Sequence, residues 1–141
     1  MSAKLPTGLY GIFNVAHGQS PGHDLTKPTI KPIIGVNDKP IWVVEHVEAD
    51  RYRLILYGFA TKPEGNRVWG FLGPDVTGTE WILEPGQGPD AAFSIIKPPI
   101  PGELVHLWTL RERNAHVTLE LREGPESGPN QLWTFLAVNE E

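Results

Sequence analysis

An all-β chain assembled from three similar units is the fold this sequence predicts, on three observations. Short strand-like segments open on an aromatic at Tyr10, Tyr52 and Phe93, spaced 42 (52 − 10) and 41 (93 − 52) residues apart. Each opening is followed by a segment carrying a Trp: Ile41-Trp42-Val43-Val44, Glu80-Trp81-Ile82-Leu83 and Leu132-Trp133-Thr134-Phe135. A near-constant period of that length marks one structural unit used three times. Finally, 15 Gly and 14 Pro exceed a fifth of the 141 residues and lie scattered between apolar runs. That distribution punctuates many short strands and leaves little room for helices.

The first unit opens with Leu9 to Ala16, where Tyr10, Ile12 and Asn14 share a face and the β-branched and aromatic content reads as a strand. His17-Gly18-Gln19-Ser20-Pro21-Gly22 is turn chemistry. His23 to Lys31 reads as a stiff polar loop, because Pro28 and Pro32 hold the preceding lysines extended and remove amide donors. Ile33 to Val36 is a short strand, Asn37-Asp38-Lys39-Pro40 a turn, and Ile41 to Val47 the first Trp strand. The second unit runs through Tyr52 to Tyr57, the turn Lys62-Pro63-Glu64-Gly65-Asn66, Val68 to Leu72 and a Gly-rich connection into the Trp81 strand. The third comprises Ala92 to Ile96, a Pro98–Gly102 bend, Leu104 to Leu110, Val117 to Leu121, the long polar loop Arg122 to Asn130, and the Trp133 strand.

No segment sustains a helical period. Four strands per unit make roughly twelve, which is the arithmetic of a β-trefoil: a six-stranded barrel closed by three hairpins. One such domain spans residues 1–141. Closure removes the sheet edges that invite aggregation. The three Trp are expected to fill equivalent places in the core.

Composition narrows the function classes. Hydrophobic residues make up 40% and charged residues 21%, as in an ordinary globular chain. A net charge of -5 argues against nucleic acid and against anionic membrane surfaces. Cysteine is absent, so no disulfide framework is expected. The N-terminus has no apolar signal-like run. A cytoplasmic monomer is the expectation.

Gly18-Gln19-Ser20-Pro21-Gly22 matches the nucleophile-elbow pattern in letters. The chemistry needs a strand before the Ser and a helix after it, and Pro21, Gly22 and Pro28 oppose that helix. The five histidines lack metal-ligand spacing, and no carboxylate pair stands out as an acid/base couple. The expectation is therefore a protein that is not an enzyme and holds no metal or cofactor. Gln131-Leu132-Trp133 resembles the Gln-x-Trp motif of ricin-B-type lectins, although the other two copies read Pro40-Ile41-Trp42 and Thr79-Glu80-Trp81. A carbohydrate-binding trefoil is thus an alternative reading. Lys27, Lys62 and Arg122 sit in segments that read as extended and exposed. A trypsin-like enzyme takes a single Lys or Arg from such a loop, since preorganisation lowers the entropy cost of binding.

Thr7 to Val15, Arg51 to Leu54 through Gly58 to Thr61, Val68 to Leu72, Gly78 to Glu84 and Ala91 to Ile96 resemble, in order, the small cysteine-free β-trefoil protease inhibitors of mushrooms. The resemblance covers most of the chain. It implies a fungal defence protein whose partner is a protease.

Two branches of that family differ in target. The spacing in the second unit is similar to the serine-protease branch (cospin- and cnispin-like), which blocks trypsin-like enzymes through one loop. The mycocypins (clitocypin- and macrocypin-like) block papain-like cysteine proteases with paired loops around a Gly, and some block asparaginyl endopeptidase with a loop Asn. The family's polar loop after the second strand is matched by His23 to Lys31, where Asp24-Leu25-Thr26-Lys27-Pro28 replaces the family's basic run and offers Thr26, Lys27 and Pro28 as one contact. Trypsin dislikes Pro after the scissile bond, so Arg122 and Glu123 are the better chemical match. On the mycocypin reading, Gly18, Pro21 and Gly22 form the cysteine-protease loop and Asn66 is the asparaginyl endopeptidase contact.

Overall fold

The aromatic that opens each unit stands directly opposite the Trp of the same unit: Tyr10 with Trp42, Tyr52 with Trp81, and Phe93 with Trp133. The computed structural model describes residues 5–23, 29–73, 77–86, 92–98, 102, 104–122 and 128–138. Its strands are β1 (Gly8–Asn14), β2 (Ser20–Gly22), β3 (Ile30–Pro32), β4 (Ile34–Val36), β5 (Trp42–Glu48), β6 (Arg51–Leu56) and β7 (Phe59–Glu64). There follow β8 (Arg67–Phe71), β9 (Trp81–Pro85), β10 (Ala92–Ile96), β11 (His106–Thr109), β12 (Thr118–Leu121) and β13 (Trp133–Ala137), with a 3-10 turn at Pro129–Gln131.

Six strands close on themselves. β1 pairs β5, β5 pairs β6, β6 pairs β9, β9 pairs β10, β10 pairs β13, and β13 returns to β1, all antiparallel. The other strands leave the ring as hairpin-like pairs: β2 with β4, β7 with β8, and β11 with β12, with β3 laid along β8. These excursions meet in a cycle of backbone hydrogen bonds. Ile33 N donates to Val68 O (3.2 Å), Val68 N to Val117 O (3.0 Å), and Val117 N to Ile33 O (2.7 Å). All three residues are fully buried. One residue from each unit therefore occupies the same place around a threefold axis.

The core follows the same rule. Trp42, Trp81 and Trp133 are fully buried, and each indole N–H reaches the second strand of its own unit. Trp42 donates to Pro21 O at 3.0 Å, Trp81 to Thr61 Oγ1 at 2.8 Å, and Trp133 to Trp108 O at 3.1 Å. Buried indoles need such an acceptor. Trp108 stands among the three, edge-on to each, with centroids 6.2, 5.2 and 6.1 Å away. Its own indole nitrogen has no hydrogen-bond partner among the described residues. The segment before β1 is tied down by two of the opening aromatics: Tyr10 Oη donates to Pro6 O and Tyr52 Oη to Leu5 O, at 2.8 and 2.9 Å.

Two segments depart from the sequence reading. Residues 20–22 read as turn, yet Ser20–Gly22 is a buried strand paired with β4. Gly22 and Gly35 leave room for packed side chains; a Cβ on Gly22 would lie 2.9 Å from Val36 Cγ2, and one on Gly35 would lie 2.6 Å from Gln19 Oε1. Residues 30–32 read as a stiff loop, yet Ile30–Pro32 pairs with β8 and Lys31 is buried, its Nζ 6.0 Å from the Phe59 ring centroid. Pro32 is tolerated because β3 pairs only with β8, so no second ladder needs its missing donor. Among the described residues no helix is long and apolar enough to cross a membrane.

Candidate functional site

With the repeating positions occupied by packing, the non-repeating surface segments remain, and they differ sharply in how they are held. The segment between β1 and β2 is built on Asn14, which is buried at the end of its strand. Asn14 Oδ1 accepts from His17 N at 3.1 Å, its O accepts from Gly18 N at 2.8 Å, and its N donates to Gln19 O at 2.8 Å. Asn14 Nδ2 also donates to Asn130 O at 3.1 Å. Gly18 turns the chain at a φ of 71°, in the left-handed region that favours Gly, and is exposed.

Beneath that tip lies Gln19, only 1% exposed. Its Nε2 donates to Asn37 Oδ1 (2.9 Å) and Asn114 Oδ1 (2.8 Å), while its Oε1 accepts from Asn114 N (2.7 Å). Arg113 adds a clamp, donating to His17 O at 2.8 Å and Asn37 Oδ1 at 2.9 Å. Three separate connections are thereby stitched into one surface, and the peptide groups of residues 17–18 are oriented before any partner arrives. That is the condition under which loop binding costs least entropy.

Arg122 ends the β11–β12 excursion. The sequence reading has it projecting into solvent; instead its side chain is 25% exposed and its Nη2 donates to Glu84 Oε1 of β9 at 2.6 Å. The carboxylate on the neighbouring strand captures the guanidinium and lays it against the barrel. A shallow depression beside it is lined by Leu104, Val105, Leu121 and Arg122, and Leu104 and Leu121 are both exposed.

At the β7–β8 tip, Gly65 has a φ of 62° and Asn66 is exposed. The Asn66 carbonyl accepts from Leu119 N at 2.6 Å. Lys62 is exposed, with its Nζ 5.1 Å from the Phe71 ring centroid.

The structure does not gather Gly18, Pro21 and Gly22 on one surface. Pro21 and Gly22 are buried in β2, and Pro21 O is the acceptor for Trp42. Thr26, Lys27, Pro28 and Glu123 lie outside the described residues. Ser20, the nucleophile of the elbow pattern, is a buried strand residue whose hydroxyl has no partner among the described residues, so no base touches it. Gln131 is also buried, donating to Leu121 O at 2.9 Å and Thr109 Oγ1 at 3.2 Å. Among the described residues no three metal-ligating side chains converge.

Titration belongs to the scaffold. Burial lowers the pKa of His116, whose Nε2 donates to Val68 O at 2.9 Å. The hydrogen bond from Arg111 lowers that of Glu120. Burial raises both Tyr10 and Tyr52. Sequence reasoning missed Gln19, Arg113 and Asn114 as a group, because the contacts link residues 95 or 96 positions apart.

No family model and no curated protein matches the chain. Solved structures do. A proteinase inhibitor from Coprinopsis cinerea superposes with a TM-score of 0.79 at 21% identity, covering 96% of this chain and all (100%) of that one. They share a fold. So do a Macrolepiota procera ricin B-like lectin in complex with lactose (TM-score 0.70, 18% identity, 97% and 100% covered) and the designed 3-fold symmetric protein ThreeFoil (0.73, 16%, 93% and 99%).

Proposed function

We propose that the chain is a β-trefoil protease inhibitor that occludes an active-site cleft with a surface loop and performs no covalent chemistry of its own. The observation that carries this reading is the end-to-end likeness to a proteinase inhibitor, 96% of one chain on 100% of the other. The target class we assign is a trypsin-like serine protease, with Arg122 and Glu123 as the primary contact and Thr26, Lys27 and Pro28 as the alternative loop. Arg122 must leave Glu84 to enter an acidic specificity pocket. Partly exposed ion pairs are worth about 0–1 kcal/mol, so that release is a small cost against a buried charge pair in the pocket.

A second reading is favoured by a specific observation. The Gly18 tip carries no side chain, has open space around its Cα, and is braced from below by Gln19 and Arg113. A rigid glycine tip suits the narrow groove of a papain-like cysteine protease. For asparaginyl endopeptidase the exposed Asn66 is the contact. The lectin alternative has less to stand on, since the Gln-x-Trp motif stands in one unit of three, at Gln131, Leu132 and Trp133, where Gln131 has the structural role such a motif residue would have.

The test is residual activity of trypsin, papain and asparaginyl endopeptidase with the protein in excess, beside a glycan array. Slowing of one protease supports the inhibitor reading and names its class. Three undisturbed proteases together with a bound sugar would sink it.

A further inference from the structure

Gln131-Leu132-Trp133 gives its Trp to the core and its Gln to a different task. Gln131 ends the 3-10 turn just before β13 and is 1% exposed. Its Nε2 carries two hydrogens, and both are used. One goes to Leu121 O at 2.9 Å and the other to Thr109 Oγ1 at 3.2 Å. Thr109 Oγ1 in turn donates to Leu107 O at 3.0 Å, so a chain of bonds along β11 holds the amide from behind.

The acceptor decides what this amide does. Leu121 closes β12, and its carbonyl belongs to the peptide bond that leads into Arg122. The bond from Gln131 therefore crosses the mouth of the 122–130 connection, tying its entry to its exit 10 residues on. Each side is anchored independently as well. At the entry, Leu121 and Glu120 pair with His106 and Leu107 of β11. At the exit, Asn130 O accepts from Leu110 N at 3.0 Å and from Asn14 Nδ2 at 3.1 Å, and Pro129 O accepts from Ala16 N at 3.1 Å.

We propose that Gln131 is a positioning residue for the Arg122 loop, holding its two ends together so that a bound protease cannot finish cutting it. This rests on the reading of Arg122 and Glu123 as the primary contact. A trypsin-like enzyme in that pose meets the Arg122–Glu123 peptide bond as it meets a substrate. Hydrolysis adds one water across the bond, leaving a carboxylate on Arg122 and an ammonium group on Glu123. The enzyme's own serine and histidine carry the step in both directions, and the reverse step returns the water. In a loop with free ends the two fragments separate and the cut is final. Here Arg122 stays on the anchored end of β12, and Glu123 stays on a tether of six residues (129 − 123) to the bonded Pro129. A tether that short keeps the new amine at an effective concentration on the order of millimolar, so rejoining competes with release. The chain is then held as an inhibitor and is not consumed as a substrate.

The experiment incubates the intact protein and Gln131→Leu with trypsin and follows inhibition and chain mass together over time. Leu fills the buried site and removes both donations. The intact protein is expected to settle at a constant ratio of whole to cut chain, reached equally from purified cut protein, with inhibition maintained. Gln131→Leu should inhibit as well at the start, then lose inhibition at least about tenfold faster as cleavage after Arg122 runs to completion. Trp81→Phe gives up a buried hydrogen bond to Thr61 outside this loop; it controls for lost stability and should persist like the parent. If Gln131→Leu does not fold, Thr109→Val removes one of the two acceptors and should show a smaller loss in the same direction. A loop variant that holds trypsin as long as the parent overturns the proposal. So does cut protein that is never rejoined, or Trp81→Phe decaying as fast as Gln131→Leu. An intact protein that leaves trypsin undisturbed overturns the Arg122 reading itself, and this proposal with it.

Discussion

The interior of the barrel repeats three times, whereas the surface connections among the described residues are each held in a different way. Inside, an aromatic faces a Trp in each unit, each of those indoles finds an acceptor in the second strand of its unit, and Ile33, Val68 and Val117 exchange hydrogen bonds in a ring. Outside, the Gly18 tip is held by side chains from two other connections, Arg122 by one carboxylate, and the Asn66 tip by a backbone bond to Leu119. Packing in a shared core punishes any unit that departs from the common solution. A solvent-facing connection has no such partner and is free to take up whatever a ligand demands.

The largest effect should come from breaking the interior. Trp133→Ala is expected to cost about 3–5 kcal/mol, read as a lower denaturation midpoint in urea, and Trp81→Ala should match it within experimental scatter. Unequal losses would show that the threefold equivalence is geometric only.

Next in size is the bracing of the Gly18 tip. Gln19→Ala leaves Asn114 N and the Asn37 and Asn114 carboxamides without their buried partner, at a cost of about 1–3 kcal/mol. Amide exchange at His17 and Gly18 should accelerate in step. Asn66→Ala, on the barely held tip, should stay within about 0.5 kcal/mol. Equal effects at the two sites would erase the contrast drawn between these connections.

The comparison can be sharpened within the tryptophans. Trp133→Phe removes an indole that donates to Trp108 O, whereas Trp108→Phe removes one with no acceptor among the described residues. The first should cost about 1 kcal/mol more than the second, measured by chemical denaturation of both variants.

Smallest is the pH dependence. The folded pKa values of His116 and Glu120 are both lowered from 6.5 and 4.5. Their contributions are therefore present above those unfolded values and are lost as pH falls through each in turn. Tyr10 and Tyr52 are raised above 10.0, so their contribution is full below that value and lost as pH climbs through the folded pKa. His116→Gln should flatten the slope of stability just below pH 6.5. Tyr52→Phe should do so on the alkaline side.

How much of this was legible in the chain follows from which interactions are local. The aromatic-to-Trp pattern could be read because each pair recurs at a steady period and large aromatics have few places to go. β2 and β3 could not, because Pro21 and Pro32 carry a local turn signal that partners on β4 and β8 override. The Gln19 network was invisible because neither an amide nor its position announces a partner 95 residues away. Arg122 was identified as a basic residue at a loop edge, but its capture by Glu84 depends on the register of two distant strands.

Closure of a protease by a surface loop of this scaffold is the proposal on which the rest depends. The direct measurement is a titration of trypsin with the intact protein and with Arg122→Ala, after matching thermal unfolding curves have shown both to be folded. Reversible loss of trypsin activity is expected with the intact protein, relieved at least about tenfold in the variant. Undiminished trypsin activity in the presence of excess intact protein would contradict it.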